Sequence, residues 1–162
     1  MTVERKASMT TKLHVDSPPP FLYERDLVNA FVEFISQNDE VFGIESFALE
    51  FDYRRGRTDV VALSEEGHVI AFEAKLRDWR EALHQAYRNT CFAAESYILM
   101  PPEAAHRAAA HVNDFVDRGI GICTIAKGAI RIIQPAPRRP DVLEPWLERR
   151  AVEFASSSAS EE

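Results

Sequence analysis

The stretch Arg57–Lys75, RTDVVALSEEGHVIAFEAK, decides how this chain reads. Two apolar runs flank SEEGH, and a three-residue loop Glu65-Glu66-Gly67 is the natural closure, because glycine tolerates the left-handed position that ends such a turn. That closure sets Ser64 opposite His68 and, counting outward, Asp59 opposite Glu73. The two carboxylates then share one face with Cβ atoms about 4.5–5.5 Å apart. Lys75, two residues beyond Glu73, shares it too. A slip of one residue would send Asp59 to the other side.

Two acids so close repel, and one of them must hold its proton or share a cation. A hard divalent ion suits the pair, since Mg2+ binds through one or two carboxylates and keeps several waters. Lys75 beside it could orient a water or stabilise developing negative charge, an arrangement suited to metal-assisted attack on a phosphodiester. Strand ends also carry charges for no chemical reason, and Glu-x-Lys recurs by chance. On the hairpin alone, a strand-starting Asp59 and a Glu73–Lys75 pair account for the residues equally well.

The first helix adds a third acid. In FLYERDLVNAFVEFIS the apolar face is Leu27, Val28, Phe31, Phe34 and Ile35, and at about 100° per residue Glu24 is expected at the centre of that face. Glu33 is expected on the solvated side. Glu24 reads either as a first-turn acid favoured by the helix dipole or as a carboxylate that reaches the metal directly or through water. The second reading is preferred.

Around these elements the expected order is helix (21–37), strand (44–52), strand (58–64), strand (68–75), helix (77–94), strand (96–100), helix (102–118), strand (120–126), strand (129–134) and a short helix near 143–153. Strands apolar on both faces with helices on either side predict a three-layer α/β domain. A single domain is expected over 20–154. Residues 1–19, polar and ending in SPPP, read as a disordered arm, and 155–162 as a disordered tail.

Composition limits the alternatives. The 162 residues carry a net charge of −7, which disfavours a polyanion partner. The deficit is concentrated in residues 1–50, whereas residues 51–90 balance, so a metal at Asp59 and Glu73 would make that block locally positive. No apolar run spans a bilayer and the N-terminus lacks a signal-peptide core, so a cytoplasmic location without membrane attachment is expected. Cys91 and Cys123 each lie in an apolar segment and read as reduced core residues. The five histidines show no convincing ligand spacing.

Glu24 in YERDLV, Asp59 in GRTDVV, and Glu73 with Lys75 in AFEAK together resemble the PD-(D/E)XK nuclease superfamily, the restriction-endonuclease-like group. The opening helix is similar to that of archaeal Holliday junction resolvases. The resemblance covers roughly residues 21–134 and implies a three-layer α/β/α fold with a central mixed sheet. It also implies Mg2+- or Mn2+-dependent phosphodiester hydrolysis of DNA, in repair, recombination or defence. Thr58 stands where the superfamily's name has proline. By resemblance, Asp59, Glu73, Glu24 and the Ala74 carbonyl would hold the metal, and Lys75 would position the attacking water. Gln85 resembles an accessory glutamine of relatives, and equally a half-exposed amide on a helix border. Arg54, Arg55 and Arg57, with Arg77 and Arg80, suit phosphate contacts; Asp52, Asp78 and Glu81 could neutralise several. The chain is expected to act alone as a homodimer or to be delivered by a partner. The alternative is a catalytically silent member of the group that binds DNA or a protein.

Overall fold

The computed structural model describes residues 21–37 and 40–158. The arm expected over residues 1–19 lies outside them. The elements are α1 (Glu24–Gln37), β1 (Ile44–Tyr53), β2 (Gly56–Ser64), β3 (Val69–Ala74), α2 (Trp79–Asn89), β4 (Glu95–Met100), α3 (Pro102–Ala109), α4 (Val112–Arg118), β5 (Gly121–Ala126), β6 (Ala129–Gln134) and α5 (Pro145–Ser157). The six strands form one sheet in sequence order. β1, β2 and β3 are antiparallel, β3, β4 and β5 are parallel, and β6 returns antiparallel on the far edge. Helices cover both faces, giving a three-layer α/β/α domain around a mixed sheet, as expected.

Position in the sheet follows from composition. All six residues of β3, VIAFEA, are buried, which suits a strand with neighbours on both edges and helices on both faces. Val60, Ala62, Ile70 and Phe72 point to one face, where Leu27, Phe31 and Ile35 of α1 meet them. Val61, Val69 and Ala71 point to the other, under Leu147, Ala151 and Ala155 of α5. Farther along that face, Trp79, Leu83 and Ala86 of α2 pack on Ile98 and Met100 of β4.

Three boundaries differ from expectation. The helix expected over 77–94 stops at Asn89, because Cys91–Ala94 are four consecutive buried residues, and a helix lying on a sheet cannot bury every side of its last turn. The helix expected over 102–118 is two helices, broken where the His111 ring stacks on Trp79 at 4.6 Å. The expected tail from 155 is helical through Ser157. Leu147, Ala151 and Ala155 continue one buried stripe at four-residue spacing, so the helix has reason to run past 154. Residues 159–162 lie outside the described set.

The hairpin has the expected closure. The Gly67 amide donates to the Ser64 carbonyl and the Ser64 amide to the His68 carbonyl, both at 2.9 Å, and Gly67 takes φ +87°. Val60 pairs with Phe72, which sets residue 59 opposite residue 73.

Candidate active site

The acid pair sits where β2 parts from β3. The β2–β3 ladder ends at Val60/Phe72, and the Ala74 amide donates to the Asp59 carboxylate at 2.8 Å instead of to a strand carbonyl. Asp59 therefore fills the gap between two diverging strands. β1 bends at the same level. Its ladder with β2 runs Leu49–Val60 and then Phe51–Thr58, passing over Glu50 and Asp59. Glu50 is left-handed, with φ 58°, a costly conformation for a non-glycine residue. Its consequence is visible in the burial of β1: Ser46 and Ala48 are inside before it, Phe51 and Tyr53 after it. The strand changes parity there, and Tyr53 is turned toward α2.

A buried amide receives it. Asn89, the last residue of α2, is 1% exposed. Its Oδ1 accepts from the Tyr53 hydroxyl at 2.7 Å and from the Thr58 hydroxyl at 2.8 Å. Its Nδ2 donates to Glu73 Oε1 at 2.8 Å. One side chain thus ties β1, β2, β3 and α2 together and fixes the direction of Glu73. In the sequence Asn89 stands out only as a polar residue on the border of its helix's apolar stripe. The available signal was its position, four residues beyond Gln85 on that border.

Glu73 is 2% exposed, and half-buried Asp59 stands opposite it across the two strands. Burial first, then the charge of Asp59, pushes Glu73 up to about 8, with Asn89 and Arg88 working the other way. Asp59 is also raised, by burial above all and to a lesser degree by Glu50, against the Ala74 amide and Lys75. Two carboxyls placed opposite each other and both raised favour keeping a proton, and a cation would take that proton's place.

Lys75 follows just past the end of β3, two residues beyond Glu73. Its Nζ lies 3.5 Å from Glu24 and 3.4 Å from Glu81. Partial burial works against its charge, but Glu24 and Glu81 outweigh burial and raise its pKa. Glu24 is not in the middle of the buried stripe, as expected from the helical wheel. Its side chain is 47% exposed, because the first turn of α1 precedes Leu27, the first residue of that helix seated on the sheet. It meets Lys75 there. Among the described residues, no three His, Cys, Asp or Glu side chains converge as a metal cluster. The donor set that does converge is Asp59 and Glu73, oxygen-bearing and free of nitrogen or sulfur donors, next to the Ala74 backbone. That chemistry fits Mg2+ or Mn2+, which accept a two-carboxylate site completed by water.

Gln85 reaches Glu81, at 3.5 Å, and not the acid pair. Arg57 bonds Asp52 at 2.8 Å and lies 3.8 Å from Glu50. Arg55 lies 3.8 Å from Glu144, and Arg80 lies over the Trp79 ring at 4.3 Å. Arg54 and Arg77 are exposed. Arg88 is half-buried and donates to the Arg55 carbonyl at 3.0 Å, which holds the β1–β2 turn against α2. Glu33 is exposed, as expected, and both cysteines are free and buried.

No family model matches the chain, and no curated protein matches it. Solved structures do. The chain is similar to a protein of unknown function from Silicibacter pomeroyi at 16% identity, with a TM-score of 0.53 over 70% of this chain and 73% of that one. It is similar to a repair endonuclease from Pyrococcus abyssi at 18% identity and TM-score 0.47, over 64% of this chain and 46% of that one. It is also similar to SfsA of Pyrococcus furiosus, solved in complex with Ca2+, at 14% identity and TM-score 0.42, over 70% and 64%. At such identities the first of these likenesses speaks for a shared fold and for nothing finer. Among the described residues no helix is long and apolar enough to cross a membrane.

Proposed function

We propose that this chain is a Mg2+-dependent nuclease that hydrolyses phosphodiester bonds of DNA. One observation carries the reading: half-buried Asp59 and buried Glu73 stand opposite each other on two strands that part at that level, with Lys75 just beyond on the chain. A fold can afford such a pair without a ligand only by keeping it protonated, and function is the usual reason to keep it at all.

In this reading Asp59 and Glu73 are the metal ligands, with the Ala74 carbonyl beside them. When bound, the ion would polarise a phosphodiester oxygen and acidify a water. Asn89 holds the Glu73 carboxyl in direction, with Tyr53 and Thr58 locking the amide. Lys75 positions a water or balances the charge that develops on the phosphate. Glu24 and Glu81 keep Lys75 charged and aimed, which leaves Glu24 a role through water. Arg54, Arg55, Arg57, Arg77 and Arg80 would meet strand phosphates. The pairs that Arg55 and Arg57 now form are exposed and weak enough to exchange.

The test is cleavage of branched, single-stranded and duplex DNA with Mg2+ or Mn2+. Asp59→Asn and Lys75→Ala should each lose at least about a hundredfold in rate, with melting curves showing that they fold. Equal activity in all three proteins would assign the cleavage to a contaminant.

One observation favours a second reading, a silent module that binds DNA or a protein: Lys75 is already neutralised by two acids. Calorimetry with Mg2+ separates the two, because the silent module has no need of an ion at Asp59 and Glu73.

A further inference from the structure

A cavity of about 890 Å3 opens between α3 and the β5–β6 hairpin, lined by Glu103, His106, Arg107, Thr124, Arg131 and neighbouring apolar side chains. Thr124 is 4% exposed, and its hydroxyl has no hydrogen-bond partner. A buried hydroxyl left unpaired costs about 1–3 kcal/mol, so such a group calls for a partner that arrives from outside. Arg131 is directly across the ladder from Thr124, which puts the guanidinium and the hydroxyl on one face of the sheet. Arg107 contributes a second cation from α3. Among the described residues neither arginine has an ion-pair partner, and Glu103 is the only acid in the lining. Two unpaired guanidiniums around an orphan hydroxyl suit a phosphate, which accepts from all three.

The place of this cavity relative to the acid pair is set by the ladders. Glu73 pairs with Ile98, Ile98 with Ile122, and Thr124 is two residues beyond Ile122 on the same face, at the same end of the parallel strands. Three strand spacings and two residues of rise put Arg131 roughly 16 Å from Glu73. At 3.4 Å of rise per phosphate, that is on the order of four to five nucleotides along one DNA strand.

We infer that this cavity grips a backbone phosphate of the bound strand a few nucleotides from the bond to be cut, an inference that rests on the nuclease reading. Arg107 and Arg131 pair with the phosphate charge, and the Thr124 hydroxyl donates to one of its oxygens. The contact positions the strand without reading its sequence. It also explains how a chain with an acidic balance can hold a polyanion: the attraction is local.

The test measures DNA binding without divalent ions, so that nothing is cut. The probes are a duplex long enough to reach from Glu73 to Arg131 and one too short to do so. The variants are Arg107→Gln with Arg131→Gln, and Thr124→Val, which removes the hydroxyl at nearly constant shape. The double variant should bind the long duplex on the order of tenfold more weakly and lower its salt slope by about two, while its affinity for the short duplex holds. Thr124→Val should weaken long-duplex binding without lowering Tm. A double variant that binds the long duplex as the wild type does, or a wild type that binds no DNA, overturns the assignment. So does orthophosphate binding in the cavity combined with full DNA affinity in the double variant, which would assign the cavity to a small free anion. Binding that depends on the cavity in a protein that never cuts DNA would sink the nuclease reading and keep of this one only the phosphate contact, with no scissile bond to measure it from.

Discussion

Glu73→Gln isolates the electrostatics of the acid pair. In the metal-free protein, burial and the Asp59 charge push Glu73 to about 8, whereas an unfolded glutamate titrates near its ordinary value of about 4.3. Between those values the native state binds the extra proton, so stability is fully present below the lower value and is lost as pH rises toward the upper one. The slope is at most about 1.4 kcal/mol per pH unit for one proton. From pH 5.5 to 7.5 the loss is therefore up to about 3 kcal/mol, a fall in Tm of roughly 5–10 °C for a domain of this size. A glutamine in place of Glu73 keeps the geometry: its carbonyl accepts from Asn89 and its amide donates to Asp59. It carries no titrating proton, so this part of the slope should vanish. Thermal unfolding of both proteins at the two pH values, in chelator, reads the difference directly, and the histidines, common to both, cancel. Equal slopes in wild type and Glu73→Gln would refute the idea that the pair shares a proton.

Mg2+ should reverse that loss. At about a hundred times its Kd, added at pH 7.5, it should stabilise the wild type by about 2.7 kcal/mol and leave Asp59→Asn unmoved, measured as Tm shifts. Asn89→Ala should cost about 2–4 kcal/mol in chemical denaturation, because it strands the Tyr53 and Thr58 hydroxyls and the Glu73 carboxyl in the core. Ending the chain at Phe154 removes buried Ala155 and the last turn of α5, and should lower Tm by several degrees; no change would restore the shorter domain boundary. Lys75→Met, which keeps the stem and removes the charge, should abolish cleavage with little change in Tm.

The hairpin was legible because its turn carries its own register. Once Gly67 closes a three-residue loop, parity puts residue 59 opposite residue 73, and no tertiary information is required. The sheet and its layers were legible for a similar reason, since VIAFEA is apolar at every position but one and can only be central. Glu24 was misplaced because a helical wheel reports direction and not depth. It lies on the side the periodicity indicates, one turn before the helix meets the sheet, and so it finds Lys75 in place of the core. Asn89 could not be weighted from sequence, because an amide at a helix end has many ordinary uses. Its importance comes from Tyr53 and Thr58, whose direction depends on a parity change at Glu50 that no local pattern announces.

That parity change explains why the site is where it is. A regular β1–β2–β3 ladder would carry Asp59 into a hydrogen-bonded rung, with the Ala74 amide spent on a backbone carbonyl and no room for an ion between the strands. Turning both strands over at the Glu50/Asp59 level opens the ladder, frees that amide for the Asp59 carboxylate, and presents Tyr53 and Thr58 to Asn89. The left-handed Glu50 stores part of the cost, of order 1–3 kcal/mol for such a residue. If the strain serves only to open the gap, Glu50→Gly should raise Tm while leaving Mg2+ binding intact. If Glu50 itself draws the ion, through the charge it already exerts on Asp59, the same variant should gain stability and bind Mg2+ more weakly in calorimetry. A loss of stability in Glu50→Gly would mean that the bend is held by the Glu50 side chain and not by the rest of the fold.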